Sequence, residues 1–131
     1  MGKPSKIRPV IFWIITALLA FELINGALWD FNILNKGSVQ GVLSRLGYPE
    51  YLAFILGSAK IPAAIVILLP RLSVLKEWAY AGLCFLFTGA VISHIVVKDY
   101  ASVLFPLIFT LFTLLSWWLR PASGKIVNYK R

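Results

Sequence analysis

Glu22, Lys60 and His94 stand inside long apolar runs, where an acid, a base and an imidazole can grip a polar group or exchange a proton away from bulk water. A lone charged side chain at the middle of a bilayer costs about 2.5–3.5 kcal/mol on insertion scales. The direct remedy is to pair Glu22 with Lys60. On a helix, Glu22, Asn25, Gly26 and Trp29 follow an i, i+3, i+4, i+7 pattern and share one face. Ala53, Gly57, Lys60 and Ala64 make a second, mostly small-residue stripe, and small residues let membrane helices approach closely. Gly82, Gly89, Ser93 and His94 offer a third face. These stripes predict a ligand-binding pocket formed by Glu22, Asn25, Trp29, Lys60 and His94. There Lys60 or His94 would donate to a carbonyl oxygen, Glu22 would hold Lys60 charged, and Trp29 would supply an apolar wall.

The elements that must position these residues are four apolar runs, Val10–Trp29, Tyr51–Leu69, Trp78–Val97 and Ala101–Leu119. A helix rises about 1.5 Å per residue, so each run is about as long as the ~30 Å hydrocarbon core is thick. Hydrophobic residues make up 60% of the 131-residue chain and charged residues 14%, which is more apolar and less charged than soluble domains. The predicted fold class is all-α, a transmembrane four-helix bundle with antiparallel neighbours, forming one membrane domain over residues 1–131. With the first run heading outward, Glu22 and Lys60 both fall near the midplane and lean toward each other, so the pocket belongs to the outer half. Residues 30–50 read as an outer loop rich in Asn and Gly, within which Val39, Val42, Leu43 and Leu46 recur at the spacing of a short interfacial helix. Pro62 predicts a kink beside Lys60, and Pro106 falls in the second turn of the last run.

Net charge is +8 and the isoelectric point about 9.9, yet the distribution argues against a nucleic-acid binder. Lys3, Lys6 and Arg8 precede the first run, Arg71 and Lys76 join the second to the third, and Arg120, Lys125, Lys130 and Arg131 follow the last. The other two loops hold only Lys36, Arg45 and Lys98. Basic residues on alternate loops predict that both termini and the second loop are cytoplasmic, beside anionic lipid headgroups; the membrane expected is a bacterial-type inner membrane. Trp13, Trp29, Tyr48, Tyr51, Trp78, Tyr80, Tyr100, Trp117 and Trp118 cluster near the ends of the runs, at the depth amphipathic rings favour. Glu22 interrupts the first run and Asn25-Gly26-Ala27 makes a poor cleavage site, so that run is read as a retained helix, not a signal peptide. The single cysteine, Cys84, is read as a small apolar packer. One histidine without a second histidine or a cysteine beside it makes a poor metal site, so no metal is predicted.

The segment Leu56-Gly-Ser-Ala-Lys60-Ile-Pro-Ala-Ala-Ile-Val-Ile-Leu-Leu-Pro70 resembles the second-helix signature of DoxX-like membrane proteins. Lys76-Glu-Trp-Ala-Tyr-Ala-Gly82 and Gly89-Ala-Val-Ile-Ser-His94 are similar to that family's third helix, and Leu115-Ser-Trp-Trp-Leu-Arg-Pro121 to its fourth-helix exit. Lys60, Gly82 and His94 fall on the motif. The resemblance implies a four-helix membrane bundle, some of whose relatives are subunits of thiosulfate:quinone oxidoreductases or of other membrane redox complexes. With no haem, flavin or iron–sulfur motif of its own, such a chain would need a bound quinone or a redox partner subunit. The favoured expectation is an accessory protein binding a small lipophilic molecule, quinone first among them. The alternatives are an oxidoreductase subunit, a structural or assembly protein, oligomeric through its small-residue faces, whose buried ion pair only fixes helix packing, and a small proton-coupled transporter.

Overall fold

In the computed structural model, the described residues are 7–33 and 38–121; Lys3, Lys6, Lys36, Lys125, Lys130 and Arg131 lie outside them. Among the described residues five α-helices follow one another: α1 (Ile7–Asp30), α2 (Ser38–Leu46), α3 (Leu52–Leu68), α4 (Ser73–Val96) and α5 (Leu104–Leu119), with a 3-10 turn at Tyr100–Ser102 before the last. No strand occurs among the described residues. Among the described residues three segments are long and apolar enough to cross a membrane: Ile7–Asp30, Ser73–Val96 and Tyr100–Leu119. The 17 residues of α3 span about 25 Å, somewhat less than a hydrocarbon core.

The long helices pack in the cyclic order α1, α3, α4, α5. Neighbours run antiparallel, as their contacts show. Gly26 lies against Lys60 and Gly57 against Asp30 and Phe31. Tyr80 meets Ser116, and Glu77 meets Arg120. Leu19, Leu23, Ala64, Ile67, Leu83 and Phe87 form the central core. The outside is equally apolar: Phe21 and Phe85 are 69% and 76% exposed. Such a surface is at home in lipid, where the hydrophobic effect no longer holds the helices together and packing and buried hydrogen bonds do. One such bond set lies at the centre. Ser116 shares hydrogen bonds with Thr16 (2.6 Å) and with Tyr80 (2.7 Å), tying α5 to α1 and α4.

The helix ends differ from the apolar runs in ways that matter. α4 begins at Ser73, ahead of Trp78, so Lys76 is helical and buried, not a loop charge. Its ammonium donates to the carbonyls of Val66 and Ile67 at 2.9 and 3.1 Å, capping the C-terminal end of α3 where a positive charge is favoured. Tyr80, placed by sequence among the interfacial aromatics, is buried in the core because Ser116 satisfies its hydroxyl. Pro106 sits in the first turn of α5, where a missing N–H costs little. α3 passes through Pro62 and continues to Leu68.

Candidate functional site

Glu22, Asn25, Trp29, Lys60 and His94 all line a single cavity of about 480 Å³ at the Asp30 end of α1. Each arrives by the logic of its own helix. Glu22, Asn25, Gly26, Trp29 and Asp30 occupy one stripe of α1, and Lys60 and His94 face them from α3 and α4. The apolar positions of α2 (Val39, Val42, Leu43 and Leu46) form another wall, so this short helix turns its hydrophobic side onto the cavity. Two hydrogen bonds fasten that cover. Gln40 donates its amide to the carbonyl of Asp30 at 3.2 Å, and Tyr48 shares a 2.7 Å bond with Ser93 of α4.

The expected partnership of Glu22 with Lys60 is not the one the structure makes. Lys60 Nζ lies 2.8 Å from Asp30 Oδ2, with the two side chains only 14% and 3% exposed. Helical side chains lean toward the N-terminus of their own helix. Because α3 runs antiparallel to α1, the long lysine stem leans toward the C-terminal end of α1 and carries the ammonium beyond Glu22. There it also meets the negative end of the α1 dipole. Glu22 remains near: its Oε2 and the Lys60 ammonium lie 3.5 and 3.1 Å from where a Cβ on Gly26 would stand. The lysine therefore sits between two carboxylates, in contact with one.

Two backbone features hold this geometry. A Cβ on Gly57 would stand 2.9 Å from the Phe31 ring and 3.1 Å from Asp30 Cβ, so glycine is what allows α3 to close on the end of α1. By contrast, a Cβ on Gly82 or Gly89 would meet nothing within 4 Å. These two glycines, read from sequence as part of an interior face, make no close helix contact. The second feature is the end of α4. Lys98 takes a left-handed conformation with φ 63°, and the N–H of Asp99 then reaches back to the His94 carbonyl at 2.8 Å. That turn sets the Asp99 carboxylate 3.4 Å from His94 Nδ1. A hydrogen bond from Ser102, and then the neighbouring His94, hold the Asp99 carboxyl below its ordinary value.

Chemically, the cavity offers donors at Lys60 and Asn25, carboxylates at Glu22 and Asp30, an imidazole backed by a carboxylate, and aromatic walls at Trp29 and Phe105. Asp30 was missed by sequence because the apolar run stops at Trp29. The i, i+4, i+8 spacing of Glu22, Gly26 and Asp30 was the available signal. Asp99 was missed because its approach to His94 depends on the left-handed turn at Lys98.

No match is found among curated proteins or among solved structures. Residues 14–116, however, match the model of the DoxX-like family, a stretch that takes in all five sequence-predicted cavity residues together with Asp30 and Asp99. With most of its length matched and three apolar helices long enough to span a bilayer, this integral membrane protein belongs to the DoxX-like family.

Proposed function

We propose that the cavity binds a small lipophilic molecule by an oxygen-bearing headgroup, with quinone the best-fitting class, and that the protein acts as an accessory subunit of a membrane redox complex. The observation that carries this reading is the convergence of the Lys60–Asp30 pair, Glu22 and His94 on one cavity roofed by apolar side chains of α2. A quinone is a flat ring with carbonyl oxygens, and it asks for hydrogen-bond donors between aromatic walls. Lys60, Asn25 and His94 are the donor-bearing groups, and Trp29 and Phe105 are the walls. The buried Nδ1 of His94 faces the Asp99 carboxylate at 3.4 Å, which suits an imidazole whose orientation is set by a carboxylate. When bound, a quinone supplies electron and proton chemistry; the chain's own residues hold the ring, exclude water and exchange protons with its oxygens. Electrons come from a partner subunit.

In this reading the chain crosses the membrane four times, α3 included, with both termini in the cytoplasm of a bacterial-type cell. The alternation of basic loops supports that orientation, and it puts the cavity in the outer half. The test is a titration of the protein in lipid nanodiscs with a soluble benzoquinone analogue. Saturable binding is expected, weakened about tenfold or more in Lys60→Met. Absence of saturation, or equal affinity in Lys60→Met, removes the proposal.

A second reading has its own support. Gly57 packs Asp30 and Phe31 so closely that the Lys60–Asp30 pair could serve as a register pin between α1 and α3. It predicts that replacing both partners by apolar residues leaves function intact.

A further inference from the structure

A second cavity, of about 450 Å³, lies between α3 and α4 and is almost wholly apolar. It shares three wall residues with the polar cavity: Leu56, Lys60 and Leu86. Lys60 therefore borders both spaces. Both fall in the size range of small-molecule sites. What keeps the groove open is the choice of small side chains on facing helices, Ala59 and Ala63 on α3 and Ala79 and Gly82 on α4. Elsewhere in this bundle small residues draw helices together, as Gly57 does. Here they do not, because a Cβ on Gly82 would meet nothing within 4 Å. Lys60 has an apolar stem and a charged head, and its head is held at the polar end by Asp30. A molecule lying along the same path would see the same change from apolar to polar.

We propose that the ligand is a single-chain amphiphile whose polar ring occupies the cavity beside Lys60 while its alkyl or polyprenyl tail lies in the α3–α4 groove. The groove is then also its lateral route from the bilayer. This rests on the headgroup reading above and adds the tail site and the route. The groove is the tail's subsite and not a docking face for a second copy, because it borders Lys60, Leu56 and Leu86, which also line the headgroup cavity.

The test compares two probes with one headgroup, decylubiquinone and its ring lacking the decyl tail, in nanodiscs holding wild type, Ala63→Phe or Gly82→Phe. Each substitution fills the groove from a different helix, and neither residue lines the polar cavity. Comparing one probe across variants cancels its partition into lipid. Decylubiquinone is expected to bind about tenfold more weakly to both variants, while the tail-less ring binds within about twofold of wild type, which also shows that the variants are folded. If the ring binds wild type but neither variant weakens the decyl form, the tail site is overturned and the headgroup reading stands. If the ring does not bind wild type, the headgroup reading fails. A tail-borne diazirine should label the α3 peptide carrying Val66 and the α4 peptide carrying Leu75 and Trp78. Labelling spread evenly over all lipid-facing helices, or wild-type dimers that Gly82→Phe dissolves, would assign the groove to bulk lipid or to a second copy instead.

Discussion

Lys60 and Asp30 meet at 2.8 Å across the interface of α1 and α3, and Asp30 is the last residue of its helix. A lysine and an aspartate buried this far from water stabilise the fold only as a pair. Removing one leaves the other's charge uncompensated, at a cost of about 3–5 kcal/mol, whereas replacing both by apolar side chains can be nearly neutral.

Asp30→Ala should therefore destabilise by about 3 kcal/mol or more, and Glu22→Gln by less than about 1 kcal/mol, because Glu22 makes no direct ion pair among the described residues. The double variant Asp30→Leu with Lys60→Met should recover most of the loss. Reversible unfolding in mixed micelles would measure all three. Equal losses for Glu22→Gln and Asp30→Ala would mean that the lysine is shared evenly between the two carboxylates.

Gly57 and Gly82 look alike in sequence and differ in space. An added methyl at Gly57 must push aside the Phe31 ring and Asp30, so Gly57→Ala should cost about 1–3 kcal/mol. At Gly82 the same change meets open space and should stay within about 0.5 kcal/mol of wild type. Thermal melting of the two variants side by side checks this. A harmless Gly57→Ala would show that α1 and α3 leave room for a methyl group at their contact.

The contrast marks what could be read from the chain. Apolar runs of bilayer length fix the number and approximate place of the long helices, because only a helix satisfies a backbone in oil. The stripe of Glu22, Asn25, Gly26 and Trp29 is equally legible, being local and periodic. Asp30, Lys76 and Asp99 were not legible as partners, since each lies at a helix end whose position depends on capping more than on hydropathy. An apolar run cannot say whether the residue after it belongs to the last turn. Nor can glycine spacing say whether two helices touch or diverge, which is why Gly57 and Gly82 separate only in three dimensions.

Ser116 joins three helices through one hydroxyl, with Thr16 at 2.6 Å and Tyr80 at 2.7 Å. Interhelical hydrogen bonds in membranes contribute about 0.6 kcal/mol on average and up to about 1.7 kcal/mol. Ser116→Ala takes the shared partner from the buried Thr16 and Tyr80 hydroxyls, so a loss of about 1–3 kcal/mol is expected. Ser116→Cys should lose less, since a thiol fills the space and donates weakly. A steric-trapping or unfolding measurement that found Ser116→Ala neutral would mean that Thr16 and Tyr80 re-pair without it.

Asp99 gives the protein a pH dependence whose sign follows from its surroundings. Ser102 donates a hydrogen bond to its carboxylate and His94 stands beside it, so the folded carboxyl titrates below its ordinary value of 3.8. A group depressed on folding binds fewer protons in the folded state than in the unfolded one. Its stabilisation is therefore fully present above the ordinary value and drains away as the pH falls through the depressed one. Wild type should lose stability below about pH 4 more steeply than Asp99→Asn, and the two profiles should run parallel above about pH 5. The effect is small because Asp99 is half-open to solvent, where charge pairs are screened. Carbon-detected NMR of the labelled side chain would follow the titration directly. A midpoint for Asp99 at or above the ordinary value, or an unchanged midpoint in Ser102→Ala, would show that the turn at Lys98 does not hold this carboxylate where its partners can reach it.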